Sequence, residues 1–292
     1  MNKVLKKYPH SVDIEIFRES ILYSATETGF TASLIEKDYF CSLILDHLFG
    51  RQTELVFKGG TCLSKVYFDF YRLSEDLDFI IPIASNATKS KRRSKITPVK
   101  PIIEELARII PGINILSALT GHNQSKQYIG YLQYHSAVLD AVENIKIEIG
   151  LREPLLQPFD KKPVSTIATN PFSDLTLFPE FSVQVMNIEE ALSEKIRAAL
   201  TRREPAIRDF YDIHLAIALK RIDLFDQDFL KMVMYKISIP GNAPIDVSSE
   251  RKDQLNLQLN TQLRPVLRKK DFVNFNLDQT FLVMKEIAAQ IA

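Results

Sequence analysis

Asp76 and Asp78, one residue apart in the run LSEDLDFIIPI, are the residues of this 292-residue chain whose type and spacing first suggest chemistry. On a β-strand, positions i and i+2 project from one face with their bases about 6–7 Å apart, so the two carboxylates can converge on hard cations. Divalent ions roughly 4 Å apart can stabilise both the attacking and the leaving oxygen of an in-line displacement at phosphorus. An isolated Asp-x-Asp is more often two solvated acids at a strand end, so its surroundings decide. A short way upstream stands KGGT. There Gly59 and Gly60 let the backbone come close to a ligand, the helix start that follows offers N–H groups and positive dipole to phosphate, and Thr61 adds a hydroxyl. The chain has neither the glycine-rich signature of a P-loop nor that of a dinucleotide fold. Glycine pair and aspartate pair together, on what should be adjacent strands, favour a nucleotide with metal over an unliganded strand-to-helix turn.

The elements that must hold these residues follow from hydrophobic spacing. From Ser11 to about Gly50 apolar residues recur at helical intervals, broken at Gly29 to Thr31. ELVFKGG reads as a strand ending in a glycine turn, TCLSKVYFDFY as a short helix, and LSEDLDFIIPI as a strand with Asp76, Asp78 and Ile80 on one face and Leu77, Phe79 and Ile81 on the other. INILSAL, YIGYLQYHSAV and NIKIEIGL are further strand candidates, and in the last Lys146 and Glu148 share a face opposite Ile145, Ile147 and Ile149. Asn86 to Lys100 reads as a basic loop feeding a helix. It could grip an acidic nucleic-acid backbone or simply be a solvated loop. The proline-rich stretch from Arg152 to Glu180 reads as a long surface connection. FSVQVM is a last short strand, Asn187 caps the helix NIEEALSEKIRAALTR, and IRDFYDIHLAIAL follows after a break at Glu204 and Pro205. Helices continue beyond, around a turn at Pro240 and Gly241.

Composition narrows the class without choosing the function. With 37 basic against 36 acidic side chains, attraction to nucleic acid needs a local patch rather than net charge. Cys41 and Cys62 lack metal-ligand spacing and fit buried thiols in a reducing compartment. No signal-peptide core and no membrane-length apolar run occur, so the expectation is a cytoplasmic protein without membrane partner. Tyr128, Tyr131 and Tyr134 could stack on bases, although strand aromatics usually pack, and His122, His135 and His214 have no ligand spacing.

Four ordered motifs, FKGGTCLSK, RLSEDLDF, EKIRAALTR and IRDFYDIH, span Phe57 to His214 and resemble the AbiEii/AbiGii toxin family of nucleotidyltransferases. The resemblance implies a fold related to DNA polymerase beta and activity as the toxin of a toxin–antitoxin or abortive-infection pair in phage defence, with tRNA the substrate of some members. It implies that Gly59, Gly60 and Thr61, with Lys58 before them, contact nucleotide phosphates, that Asp76 and Asp78 bind magnesium or manganese, and that Ser74 sits beside the metals. Lys195 matches a lysine that holds triphosphate, Arg202 lies two turns on, and Asp209, after Arg208 and before Asp212, is the candidate catalytic carboxylate, a base for an attacking hydroxyl. Some subfamilies place an arginine where this chain has Leu200, so Arg197 and Arg202 both stay open. Relatives of polymerase beta use a third carboxylate, for which Glu148 is the positional candidate, although a strand glutamate beside Lys146 reads equally as a surface residue.

The expected fold is α+β: a nucleotidyltransferase mixed sheet with surrounding helices, divided into a helical segment at 1–50, a core at 51–187 and a C-terminal helical lobe at 188–292 that closes a cleft from Lys195 to Asp212. The expected activity is magnesium-dependent transfer of a nucleoside monophosphate from a nucleoside triphosphate to an acceptor, with tRNA first, and a cognate antitoxin as partner. The alternatives are a protein or small-molecule acceptor, or a nucleotide-binding regulatory partner without turnover.

Overall fold

A computed structural model describes residues 8–51, 53–220 and 222–291. Residues 1–7 of the helical segment expected at 1–50 lie outside the described residues. The fold is α+β, and its residues group into two compact units. The first comprises the described residues through Arg152 together with Lys161–Val185, the second Glu153–Asp160 and the described residues from Met186 on.

The first unit is built on a seven-stranded mixed sheet: β1 (Val56–Lys58), β2 (Asp76–Ile80), β3 (Asn114–His122), β4 (Gln127–His135), β5 (Val142–Gly150), β6 (Asp160–Val164) and β7 (Phe181–Val185). Their order is β3-β4-β5-β2-β1-β7-β6. β2 is central, antiparallel to β1 and parallel to β5. Its alternation holds, with Leu77 and Phe79 fully buried and Asp76 and Asp78 half-buried. Each fully buried residue of this size contributes about 1.5–3 kcal/mol, which fixes which face the aspartates take.

Asp13 caps the Ile14–Thr28 helix by accepting from the amides of Glu15 and Ile16, and Gly29 ends it in the left-handed region at φ 79°. In the following helix, Ala32–Phe49, every residue from Leu34 to Leu45 is buried, including three charged ones. Glu36 accepts from Ser136 Oγ and the Ala137 amide, Lys37 Nζ lies 2.9 Å from Glu75 and 2.8 Å from Glu143, and Asp38 accepts from Lys65 Nζ, Thr166 Oγ1 and the Ile167 amide. One turn of a core helix thus ties down the residue before Asp76 and the helix behind the glycine turn.

Two sequence expectations change here. The stretch from Arg152 to Glu180 is no mere surface connection: it carries β6 and buries Val164, Thr166, Ala168 and Phe178. Pro163 concealed that strand, and it is tolerated because β6 is at the sheet edge. The basic run is a helix, Lys89–Ile96, rather than a loop. Thr88 caps it, its Oγ1 accepting from the Lys91 amide, lysine and arginine are good helix formers, and Arg92 and Ile96, four residues apart, bury one face.

The second unit is helical. Asn187 caps Ile188–Thr201 as its sequence position suggests, accepting from the Glu189 amide at 2.9 Å. This helix packs with Ile207–Ala218 and Gln227–Ser238. Arg251 satisfies its C-terminal carbonyls, Nη2 donating to Ala199 O and Nη1 to Arg202 O, both at 2.9 Å. Gln258 bridges the break before the next helix, accepting from the Ile207 amide and donating to Pro205 O. Among the described residues no helix is long and apolar enough to cross a membrane.

Candidate active site

In the first unit, strand β1 runs directly into a helical turn at Gly59–Cys62. Gly59 adopts φ +79°, and a Cβ there would overlap the Asp78 carboxylate; a Cβ on Gly60 would overlap the Arg72 guanidinium. The two glycines are what allow the turn to lie against these charged groups. Thr61 is buried and its hydroxyl donates to the Asp76 carbonyl, so it joins the turn to β2. Lys58 stands opposite Asp78 across the β1–β2 pair. Ser74 is half-buried, two residues ahead of Asp76.

β5 completes this face. In register, Asp76 is opposite Lys146 and Asp78 opposite Glu148. Lys146 Nζ lies 2.6 Å from Glu148 Oε2, and Gln127 Nε2 lies 2.5 Å from Glu148 Oε1, so both oxygens of the expected third metal carboxylate are engaged by the protein. Burial would lower the Lys146 pKa, but the hydrogen bond and charge of Glu148 and the charges of Asp76 and Asp78 outweigh it and raise it above the ordinary value. Glu148 is held below its ordinary value by Lys146, Gln127 and Lys58 against the opposing effect of burial. Among the described residues no three His, Cys, Asp or Glu gather as a metal cage.

In the second unit, Lys195 Nζ sits 2.8 Å from Asp209 Oδ1 and 2.9 Å from Asp212 Oδ2. Arg202 is the residue at which the helix ends, with extended backbone, so it is not on the same helical face as Lys195. Its Nη1 nevertheless returns to 3.3 Å from Asp209 Oδ2. That contact is ionic only, since this buried oxygen has no hydrogen-bond donor among the described residues. Burial would raise the Asp209 pKa, but the charges of Lys195 and Arg202 and the Lys195 hydrogen bond hold it below the usual aspartate value. Arg197 is directed elsewhere, its Nη1 3.2 Å from Asn242 Oδ1.

The model of the family described as nucleotidyl transferase AbiEii toxin, type IV TA system, matches residues 44–281. The chain belongs to the AbiEii toxin family. AbiEii toxins are nucleotidyltransferases, and this chain is therefore one, with a nucleoside triphosphate as substrate and, as in a type IV toxin–antitoxin system, an antitoxin as partner. Two solved structures show a similar fold. One is a candidate nucleotidyltransferase from H. pylori, 16% identical, TM-score 0.54, covering 90% of this chain and 96% of that one. The other is JHP933 from Helicobacter pylori, 17% identical, TM-score 0.51, covering 90% and 93%. Comparison with curated proteins gives no match.

Within this AbiEii chain, Lys58, Gly59, Gly60, Thr61, Asp76, Asp78 and Glu148 come together on one sheet face, and Lys195, Arg202, Asp209 and Asp212 form a second cluster. Arg72 and Lys146 received no role from the sequence. The alternation of β5 could have pointed to Lys146, whereas nothing in the spacing places Arg72 beside Gly60. The two cysteines are buried free thiols, and burial pushes the Cys41 pKa up to about 12, which leaves it a poor nucleophile. Tyr128 and Tyr134 are buried, Tyr134 stacking on Phe40 at 4.1 Å, so neither offers an open face to a base.

Proposed function

We propose that this AbiEii nucleotidyltransferase transfers a nucleoside monophosphate to a hydroxyl of RNA, tRNA first, with a divalent ion, magnesium or manganese, held by Asp76 and Asp78. The observation that carries the reading is the pair of half-buried carboxylates on one face of β2, against a turn in which Gly59 carries no side chain to overlap the Asp78 carboxylate. The donor set fits a hard cation: two carboxylates from adjacent same-face positions and no soft ligand. A bound divalent ion would supply charge neutralisation at the phosphates and at the leaving oxygen.

The chain's own residues have separate tasks. The Gly59–Thr61 turn offers backbone N–H groups to phosphate, and Lys58 and Lys146 offset the carboxylates on the same face. Lys195 and Arg202, in the second unit, are assigned phosphate charge by their motif position. Asp209 orients Lys195; taking a proton, the role its motif position suggests, requires the Lys195 contact to open. In the reaction the acceptor oxygen bonds to the α phosphorus, the bond from that phosphorus to the bridging oxygen breaks, pyrophosphate leaves, and the hydroxyl proton passes to a carboxylate or water.

Incubating the protein with total tRNA, magnesium and each labelled nucleoside triphosphate tests the reading. Label should enter tRNA with the native protein and fall at least about a thousandfold with Asp76→Asn or Asp78→Asn. Transfer that survives both substitutions, or that reaches only protein or small molecules, would overturn it.

A further inference from the structure

A cavity of about 420 Å³ in the first unit is lined by Lys89, Arg93, Lys100, Ser125 and Tyr128, with no carboxylate among its lining residues. It shares no residue with the glycine turn or the aspartate pair. The Lys89–Ile96 helix sorts its charges. Arg92 is buried, with Nε donating to Leu151 O and Nη2 to Ser85 O, and Lys95 is paired with Glu54 at 2.5 Å. Lys89 and Arg93 turn to the cavity instead and have no acidic partner among the described residues. Lys100 joins them from the next helix, its Nζ 5.5 Å from the centre of the buried Tyr128 ring, a packing that limits where the ammonium can point.

The opposite wall is the β3–β4 hairpin, where Asn123, Gln124 and Ser125 stand in succession in the left-handed region, at φ 49°, 56° and 63°. Ser125, 5% exposed, lines the cavity from this side. Three cations without an acidic partner among the described residues, in a lining that holds no acid, describe an acceptor-rich, multiply charged guest.

We propose that this cavity is a second phosphate-binding site, which takes the phosphate group of a nucleic-acid backbone or of a free phosphorylated ligand. The guest's oxygens accept from Lys89, Arg93, Lys100 and the Ser125 hydroxyl. Lys91 does not line the cavity, and Arg92 and Lys95 are engaged structurally, so only part of the basic run does this work.

Equilibrium dialysis of radiolabelled orthophosphate and anisotropy of a labelled single-stranded RNA, over a range of salt, test the proposal on the full chain. Orthophosphate affinity should fall about tenfold in Lys89→Gln/Arg93→Gln and a few-fold in Lys100→Gln and in Ser125→Ala, with Lys95→Gln unchanged. The Ser125→Ala variant alters no charge, so it keeps the test open if the double variant does not fold. If the phosphate belongs to a nucleic acid, RNA affinity falls in parallel and the double variant's log–log salt slope becomes shallower by about 0.7. If the ligand is a free phosphate compound, RNA affinity stays while orthophosphate binding is lost. Either result supports the site. Orthophosphate binding that is absent from the native protein, equal in all variants, or weakened as much by Lys95→Gln overturns it.

Discussion

Two lysines in the second unit each face a set of carboxylates, and they differ in what surrounds them. Lys236 is sealed: its side chain is 0% exposed, and its Nζ lies 2.8 Å from Glu153, 2.6 Å from Glu190 and 3.5 Å from Glu194. Glu190 also accepts from the amides of Leu156 and Gln157. Lys195 has a similar constellation, two buried aspartates, but its own side chain is 12% exposed and the half-exposed Arg202 stands beside it. The first arrangement can only hold the fold together. The second keeps one charged end within reach of solvent, which is the condition for a phosphate to share it.

That contrast can be broken by substitution. Lys236→Met should have the largest effect, about 3–5 kcal/mol of unfolding free energy, because it strands buried glutamates without their cation. Urea denaturation measures it, and transfer per folded molecule should stay native; a drop in that normalised rate would mean that the two lysines are not distinct.

Lys195→Met should cost less stability, about 2–3 kcal/mol, and more activity, with transfer per folded molecule down about a hundredfold. It should also change the acid limb of stability. The folded-state pKa of Asp209 is depressed, so its contribution is present above the ordinary aspartate value and is lost as pH falls through the lower folded value. Melting temperatures followed from pH 6 downward should fall in the native protein as Asp209 protonates, and the fall should flatten in Lys195→Met. An unchanged acid limb would remove the Lys195 charge as its cause.

Arg202→Ala should have the smallest effect on stability, at most about 0.5–1 kcal/mol, since the arginine is 49% exposed and its contact is ionic only. Steady-state kinetics with the labelled triphosphate would show whether its loss raises KM or lowers kcat.

The sequence made one of the two lysines visible and not the other. Lys195 stands in a motif whose partners follow within 17 residues, as do the paired faces of β2 and β5, where strict alternation alone puts Asp76, Asp78, Lys146 and Glu148 outward. The Asn187 cap and the helix breaks are local chemistry of the same kind. Lys236 draws its partners from 42 to 83 residues away, and no periodicity encodes that. The same holds for Glu36, Lys37 and Asp38, which are buried because distant hydroxyls, amides and charges meet them. In the basic run, composition suggested a solvated loop, while burial of Arg92 and Ile96 made it a helix with two differently occupied faces. β6 was missed because a proline argues against a strand wherever the strand is not an edge.

The path of the chain around Lys236 has a consequence for biosynthesis. Glu153 leaves the ribosome before β6 and β7 have been made, and its ammonium partner follows 83 residues later. Through that interval the Glu153–Asp160 segment belongs to a unit most of which does not yet exist. A fragment beginning at Met186 would carry every helix of that unit and still lack one of the three carboxylates around its buried cation, so gene fragments cut at the obvious boundary inherit an unfinished core.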